Sequence, residues 1–483
     1  MSSRAHQLHI YLLPMMAPGH MIPMVDLARK FSRYGARSTI ITTLSNASHF
    51  SQTIQRDQEN GFHIDISLVD FPSQEAGLPE GCENLSSTTS FEMSLRFLEA
   101  MDLLQQPVEK ILAQGNPDCI ISGAFFWWTT DLARSLGVPR ITFYGTGFFP
   151  ASVWTILRDD RPQDRVGSDS EEFLVPGLPD EIRLSRRQLP EHLNMDEDKN
   201  PLAKITRKVL ASDSECYGLI VNTFYELEPA YAKHYRETMG RKAWHVGPLS
   251  LINNSYEDKS QRGQEISMAT RDCLSWLDSK KPNSVIYICF GSMAIFQTPQ
   301  LHEIAEGLES AGQDFMWVVR AKAEDGENDD CFPQGFETRI KGRGLIIRGW
   351  APQVQILDHE AVGGFITHCG WNSLLEGVAA GVPMVTWPLS AEQFFNQKLV
   401  TEILKTGIPV GAEEWTKRDG DRKPIERERI EKAVVELMVG DEAERMREKA
   451  RNLGDLAKRA VQEGGSSDTD FNSLIHEIRV YRS

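Results

Sequence analysis

The feature that most restricts this chain is an alternation that occurs twice. Short apolar runs rich in β-branched residues alternate with segments whose apolar positions recur at helical spacing. "LHIYLLPM" leads through the turn signal "APGH" into "MIPMVDLARKFSRYG" and then "ARSTIITTL". "PDCIISGAF", "TTDLARSLG" and "VPRITFYG" repeat the order, and "YGLIVNTF" and "AWHVGPL" extend it. Strand–helix–strand order of this kind builds a parallel sheet covered on both faces. The pattern then lapses over residues 250–272, which are polar and aperiodic, as an interdomain linker would be. A second series follows: "SVIYICFGS", "TPQLHEIAEGLESAG", "DFMWVVR", "GLIIRGW", "GGFITHCG", "WNSLLEGVAAG" and "VPMVTWP". The expectation is an α/β protein of two doubly wound domains, with a ligand between them at the strand C-terminal ends. The boundaries are 1–249, a linker at 250–272, 273–460, and a last helix within 461–483.

Composition excludes several function classes. A chain of 483 residues is comfortable for two cores. Its net charge of −16 repels nucleic acid and anionic membrane surfaces. Seven scattered cysteines without a C-x-x-C pair suit a reducing compartment. The apolar N-terminal stretch is broken by Pro14, Pro18, Gly19, His20 and Pro23, so it reads as neither leader nor membrane span. A cytoplasmic monomer is expected.

The chemistry concentrates in "WAPQVQILDHEAVGGFITHCGWNSLLEGVAAGVPMVTWPLSAEQ", Trp350 to Gln393. A metal site is disfavoured, because His359 and His368 form no ligand pair at helical spacing. A nucleophile is disfavoured too, because Cys369 adjoins His368 on a strand, where neighbours face opposite ways. An anion site fits. A strand ends at "THCG" and a helix opens at once, so unpaired N–H groups and the positive end of the helix dipole point outward. Asn372 and Ser373 add side-chain donors, and His368 stands at the strand end. Glu376, one turn on, is placed to accept from a ribose. The Trp350 indole can stack on a base, and Gln353 can read its edge. Glu392 and Gln393 place polar groups near whatever hangs from the phosphates. Base, ribose, phosphate and a hydroxylated group together describe a nucleotide sugar.

The same segment resembles the 44-residue signature box of plant family 1 UDP-glycosyltransferases, with W-x-P-Q, H-x-x-x-G-G-F-x-T-H-C-G-W-N-S, G-V-P and E-Q in register. The resemblance extends through "APGHMIPMVDLA", "YGTGFF", "LIVNTFYELE", "VIYICFGS" and "EGGSS". It implies a GT-B fold, two Rossmann-like domains facing across a cleft, with acceptor on the first, donor on the second, and the last helix packing back on the first. It implies Trp350, Ala351 and Gln353 at uracil, Glu376 at ribose, and Ser292, His368, Asn372 and Ser373 at the diphosphate. Trp371, Glu392 and Gln393 would meet the sugar. The terminal Gln resembles glucose-preferring members. The implied reaction is inverting and metal-independent, with the UDP-sugar as co-substrate and no cofactor. The expected acceptor is a hydroxyl of a lipophilic small molecule of phenolic or flavonoid, terpenoid or steroid type.

His20 in "APGHMIP" resembles the family's general base, and imidazole suits that task. The family orients this histidine with an Asp, in a stretch that here reads "DCIISGAFFWW". Gly123 occupies the Asp position. The departure admits an alternative: a non-catalytic or weakly active UDP-sugar-binding paralogue. Gly123 and Phe126 are expected beside the acceptor, although core packing is the commoner fate of Phe125, Phe126, Trp127 and Trp128. A dinucleotide oxidoreductase would need G-x-G-x-x-G after its first strand, which "APGHMIP" lacks. Asp196-Glu197-Asp198 and Asp419-Gly420-Asp421 match D-x-D, but both lie in charged runs and no metal is expected there.

Overall fold

A computed structural model describes residues 6–195, 202–253, 268–294, 296–319, 331–415 and 423–482. Its first parallel sheet holds seven strands: β1 (His9–Leu13), β2 (Arg37–Thr42), β3 (Ile64–Leu68), β4 (Cys119–Gly123), β5 (Arg140–Tyr144), β8 (Gly218–Val221) and β9 (Ala243–His245). Their order is β3-β2-β1-β4-β5-β8-β9. A small antiparallel hairpin, β6 (Glu172–Leu174) with β7 (Arg183–Ser185), lies outside it. The second parallel sheet holds β10 (Val285–Cys289), β11 (Asp314–Val319), β12 (Gly344–Arg348), β13 (Val362–Thr367), β14 (Met384–Thr386) and β15 (Gly407–Pro409) in the order β12-β11-β10-β13-β14-β15. In both sheets the chain order reverses beside the first strand, between β1 and β4 and between β10 and β13. A crevice opens at the strand C-terminal ends at such a reversal.

The central strands are apolar on both faces because helices cover both faces. β4 is buried at all five residues and β13 at all six. Glycines in the left-handed region close two of the helices that matter most for the second sheet. Gly312 (φ 71°) ends Thr298–Ala311, and Gly381 (φ 74°) ends Trp371–Ala380. The first helix departs from its sequence reading. "APGH" is not a free turn: the helix runs Pro18–Arg33, with Pro18 in its first turn. Proline is pre-shaped for that position and has no N–H to lose there. His20 is therefore a helical residue with its direction set by the helix.

One apolar cluster belongs to the first sheet. It includes Phe471, Leu474, Ile475 and Ile478 from the last helix, Ser466–Arg482. Phe471 packs on Phe31 and Tyr34, with ring centroids at 4.7 and 4.9 Å. Arg482 Nε donates to the buried Asp118 carboxylate at 2.6 Å, beside β1. A second cluster joins the two sheets: Phe148, Phe149, Leu219 and Val221 share it with Val285, Phe365, Trp371 and Leu374. A third covers the outer face of the second sheet. Burying apolar area across the junction fixes the two halves against each other where they meet.

The acidic stretch 323–330 and both D-x-D matches, at 196–198 and 419–421, lie outside the described residues. So does most of the polar stretch at 250–272, although the helix Met268–Asp278 begins within it.

Candidate functional site

A cavity of about 860 Å³ opens between the halves. Its walls carry His20 from the first helix, Ser292 after β10, and Trp350, Ala351 and Gln353 after β12. His368, Trp371, Asn372, Ser373, Glu376, Glu392 and Gln393 complete the second half's side. Twelve residues chosen from the sequence thus face one space, although 373 positions separate His20 from Gln393.

The head of the Trp371–Ala380 helix is the centre of the site. Gly370 is its N-cap and supplies no side-chain cap. The first N–H groups therefore lack intrahelical partners and lie at the cavity wall. Before them comes a tight passage. Cys369 takes φ 63°, its carbonyl accepts from Asn396 Nδ2 at 2.9 Å, and its fully buried thiol has its pKa pushed up. A buried, protonated thiol is no nucleophile. The His368 ring lies between two glycines. A Cβ on Gly291 would stand 2.6 Å from its Cε1, and one on Gly370 would stand 2.3 Å from its Nε2. Burial lowers the His368 pKa to about 4, so the ring is neutral at neutral pH. Among the described residues its Nδ1 is buried with no partner, as is the indole Nε1 of Trp350.

Gln353, expected at a base edge, is also tied to the helix head. Its amide donates to Glu376 Oε2 at 2.7 Å and to Ser373 Oγ at 3.0 Å, and Tyr287 donates to its Oε1 at 3.4 Å. The amide is drawn toward the helix head, where two acceptors wait. Gln393 is likewise constrained. Its carbonyl accepts from the N–H groups of Leu389 (2.8 Å) and Ser390 (2.9 Å), which leaves its amide N–H groups as the end available to the cavity. Burial raises the Glu392 pKa, and Asn396 Nδ2 donates to its Oε1 at 3.3 Å.

Two predicted donor-side residues also hold the halves together. Asn372 Nδ2 donates to the carbonyl of Gly19 at 2.7 Å, one residue before His20. Trp371 Nε1 donates to the carbonyl of Asn222 at 2.7 Å. The Trp371 ring presses on Gly147, where a Cβ would stand 2.2 Å from Cη2. The indole N–H is thus committed across the junction and is not available to a ligand. Glu228 backs this contact. Its buried carboxylate accepts from the N–H groups of Phe148 (2.9 Å) and Phe149 (2.7 Å), and burial raises its pKa to about 7. Asn222 and Glu228 both lie in "LIVNTFYELE", whose strand pattern is visible but whose partners lie 149 residues away for Asn222 and 79 and 80 for Glu228.

His20 is exposed toward the cavity, and the protein around it still lowers its pKa below 6.5. No side-chain hydrogen bond to it is present among the described residues. At Gly123 a Cβ would meet only Met15, its N at 3.4 Å and its Cβ at 3.5 Å. Two expectations fail here. Phe126 is fully buried, edge-on to Trp128 at 5.8 Å, and Gly123 and Phe126 are both absent from the cavity wall. β4 ends at Gly123, and the turn that follows packs Phe126 and Trp128 into the first core instead of a pocket. The first half contributes Ser45, His49, Asn84, Ser86 and Thr146 in their place. His49, Asn84 and Thr146 sit in loops, and Ser45 and Ser86 in single-turn helices (Leu44–Ala47 and Leu85–Ser87) too short to show a period. Asn84 organises its loop by accepting from Ser86 N at 3.0 Å and donating to Asn46 Oδ1 at 2.8 Å. Among the described residues no group of three or more His, Cys, Asp or Glu side chains is placed to hold a metal.

Comparison with known proteins agrees with this construction. A family model described as "UDP-glucoronosyl and UDP-glucosyl transferase" matches residues 212–419. The scopoletin glucosyltransferase of Nicotiana tabacum is 49% identical over 477 residues, covering 99% of each chain. The UDP-glucose flavonoid 3-O-glucosyltransferase 7 of Fragaria ananassa is 50% identical, covering 98% of this chain and 96% of its own. Among solved structures, UGT73P12 of Glycyrrhiza uralensis, complexed with glycyrrhetinic acid 3-O-monoglucuronide, superposes with a TM-score of 0.92. It is 40% identical, with 99% of this chain and 96% of that one covered. With its two parallel sheets in the GT-B arrangement and full-length relatives of this similarity, the chain belongs to the plant family 1 UDP-glycosyltransferases and is a glycosyltransferase.

Proposed function

We propose that this enzyme transfers glucose from UDP-glucose to a hydroxyl of an aromatic small molecule, inverting the anomeric carbon and using neither metal nor cofactor. The observation that carries the reading is the Asn372–Gly19 hydrogen bond. It ties the first turn of the Pro18–Arg33 helix, which bears His20, to the head of the helix that would meet the anion. Base and leaving-group site are thereby held in one cavity.

In this reading Trp350 stacks on uracil beside Ala351, and Gln353 and Glu376 take the ribose hydroxyls. The diphosphate lies on the N–H groups that open the Trp371–Ala380 helix, with Ser292, Ser373 and the neutral His368 as further donors. Glu392 and Gln393 meet the sugar. The acceptor enters from the first half, residues 1–249, and the donor lies on 273–460. His20, neutral because its pKa is lowered, removes the acceptor proton as the oxygen attacks the anomeric carbon from the face opposite UDP. The bond from that carbon to the phosphate oxygen breaks, and UDP leaves with the electron pair. The helix dipole and the oriented donors take up its charge in place of a metal ion. Hydroxylated aromatic acceptors are favoured because two relatives are named for scopoletin and for flavonoids. A cytoplasmic monomer completes the reading.

The test is UDP release with UDP-glucose and a panel of phenols and alcohols, with the products identified by mass and the assay repeated in EDTA. Coupled UDP and glucoside formation, unchanged by EDTA, is expected. UDP-glucose binding without any product from the panel would favour the non-catalytic paralogue. Loss in EDTA restored by Mg²⁺ or Mn²⁺ would overturn the metal-free assignment.

A further inference from the structure

The turn that presents Glu392 and Gln393 is held from outside by a residue that does not line the cavity. Ala391, just before the pair, takes φ 50°, a left-handed conformation unfavourable for a non-glycine residue. Its carbonyl accepts from Trp415 Nε1 at 3.1 Å. Gln393 closes the same turn from inside through Leu389 N and Ser390 N. Trp415 in turn is gripped by the other half of the molecule. Its backbone N–H donates to the carbonyl of Arg187 at 2.6 Å, and the Arg187 guanidinium lies 3.4 Å from the Glu414 carboxylate. Arg187 stands in the short turn that follows β7.

We infer that Trp415 is a positioning residue that couples the seating of the two halves to the geometry of the sugar-binding turn. The inference rests on the reading that Glu392 and Gln393 face the donor sugar. The physical ground is that a strained turn keeps its shape only when its surroundings over-determine it. Here one of the determining contacts, the indole N–H, is fixed by a backbone bond that crosses the domain junction. If the crossing loosens, the turn relaxes and the sugar loses its alignment, while uracil and phosphates keep theirs.

Trp415→Phe keeps an aromatic ring and removes only the N–H. It is expected to lower kcat/KM for UDP-glucose about three- to tenfold, the weight of one hydrogen bond. Discrimination between UDP-glucose and its C4 epimer should narrow by a similar factor, while UDP affinity by calorimetry stays within about twofold. Adding Ala391→Gly, which takes the left-handed conformation without strain, should restore part of the loss. Wild-type kcat/KM and epimer discrimination in a folded Trp415→Phe protein would overturn the inference, and so would a loss that appears equally in UDP affinity. If Trp415→Phe does not fold, Glu414→Ala loosens the same crossing from its ion pair, and is expected to shift the same ratios by about twofold; wild-type ratios would then overturn the inference. Gln393→Ala separates this from the reading beneath it. If Gln393→Ala leaves donor-sugar kinetics unchanged, the sugar-site assignment itself is wrong.

Discussion

Gly147→Ala tests whether the junction at Trp371 organises the donor site. The added Cβ would stand 2.2 Å from Trp371 Cη2, 2.5 Å from Cζ2 and 2.6 Å from Glu228 Oε1. Ordinary contact begins near 3.4 Å, so the ring has to retreat by about 1 Å. Neither neighbour gives way easily. The ring is held by its 2.7 Å bond to Asn222, and Glu228 is held by two backbone N–H groups. Overpacking of this kind costs about 1–3 kcal/mol. Weakening the indole bond adds about 0.5–1.5 kcal/mol. A loss of about 2–4 kcal/mol is expected, seen as a Tm lower by several degrees. Because Trp371 opens the helix whose N–H groups face the cavity, UDP affinity should fall as well. Trp371→Phe removes the crowded ring edge, so the double variant should recover most of the overpacking cost but not the indole bond. The assay is a double-variant cycle on thermal unfolding, with UDP binding by calorimetry on all four proteins. A Gly147→Ala protein with wild-type Tm and wild-type UDP affinity would refute the argument. So would strict additivity in the cycle.

His20→Ala is expected to lower turnover on aliphatic alcohols about 10²–10⁴-fold, checked by initial rates. Because the cavity walls around the accessible His20 ring desolvate it and lower its pKa, its neutral form persists below pH 6.5, and wild-type kcat/KM should fall only on the acid side of that value; an acid limb starting well above it would contradict the assignment. Gly123 does not have a left-handed φ, and a Cβ there meets Met15 only at ordinary contact distance, so Gly123→Asp should fold. It should raise the acid-limb pKa and help weakly acidic acceptors most, as a rate series on acceptors of graded pKa would reveal. An unchanged pH profile would mean that the new carboxylate does not reach His20. Gly291→Ala combines φ 75° with a 2.6 Å clash on His368, and should weaken UDP binding about tenfold or more by calorimetry.

Much of this molecule is legible in local sequence, and the reason is periodicity. Eleven of the thirteen strands in the two parallel sheets lie in apolar runs bounded by turn residues, and the helices read between them show a 3.6-residue stripe; β3 (IDISL) and β15 (GIP) are edge strands, one alternating and one only three residues long, and do not stand out. The donor side is legible for a related reason. Its residues lie in one continuous strand–loop–helix passage, so the sites of His368, Asn372, Ser373 and Glu376 follow from where the strand stops and the helix starts. The acceptor side is less legible. Phe126 stands in the turn after β4, where no period says which way a side chain points, and it is core. Ser45, His49, Asn84 and Ser86 come from loops and single-turn helices with no period to read.

Local sequence was enough for the two parallel-sheet halves, the strand-to-helix junction at Gly370, the residues gathered there, and the oddity of a glycine at position 123. Those properties depend on neighbours in the chain, which a linear text records. What these residues do to one another depends on long-range packing. It turned Gln353 toward Glu376 and Ser373, and it spent the Trp371 indole on Asn222 and the Asn372 amide on Gly19. It also left the His20 ring without a side-chain partner among the described residues. A hydrogen bond is set by distance and direction to within a few tenths of an ångström. Partners 149 or 353 residues apart acquire that relation only when two complete sheets have packed against each other.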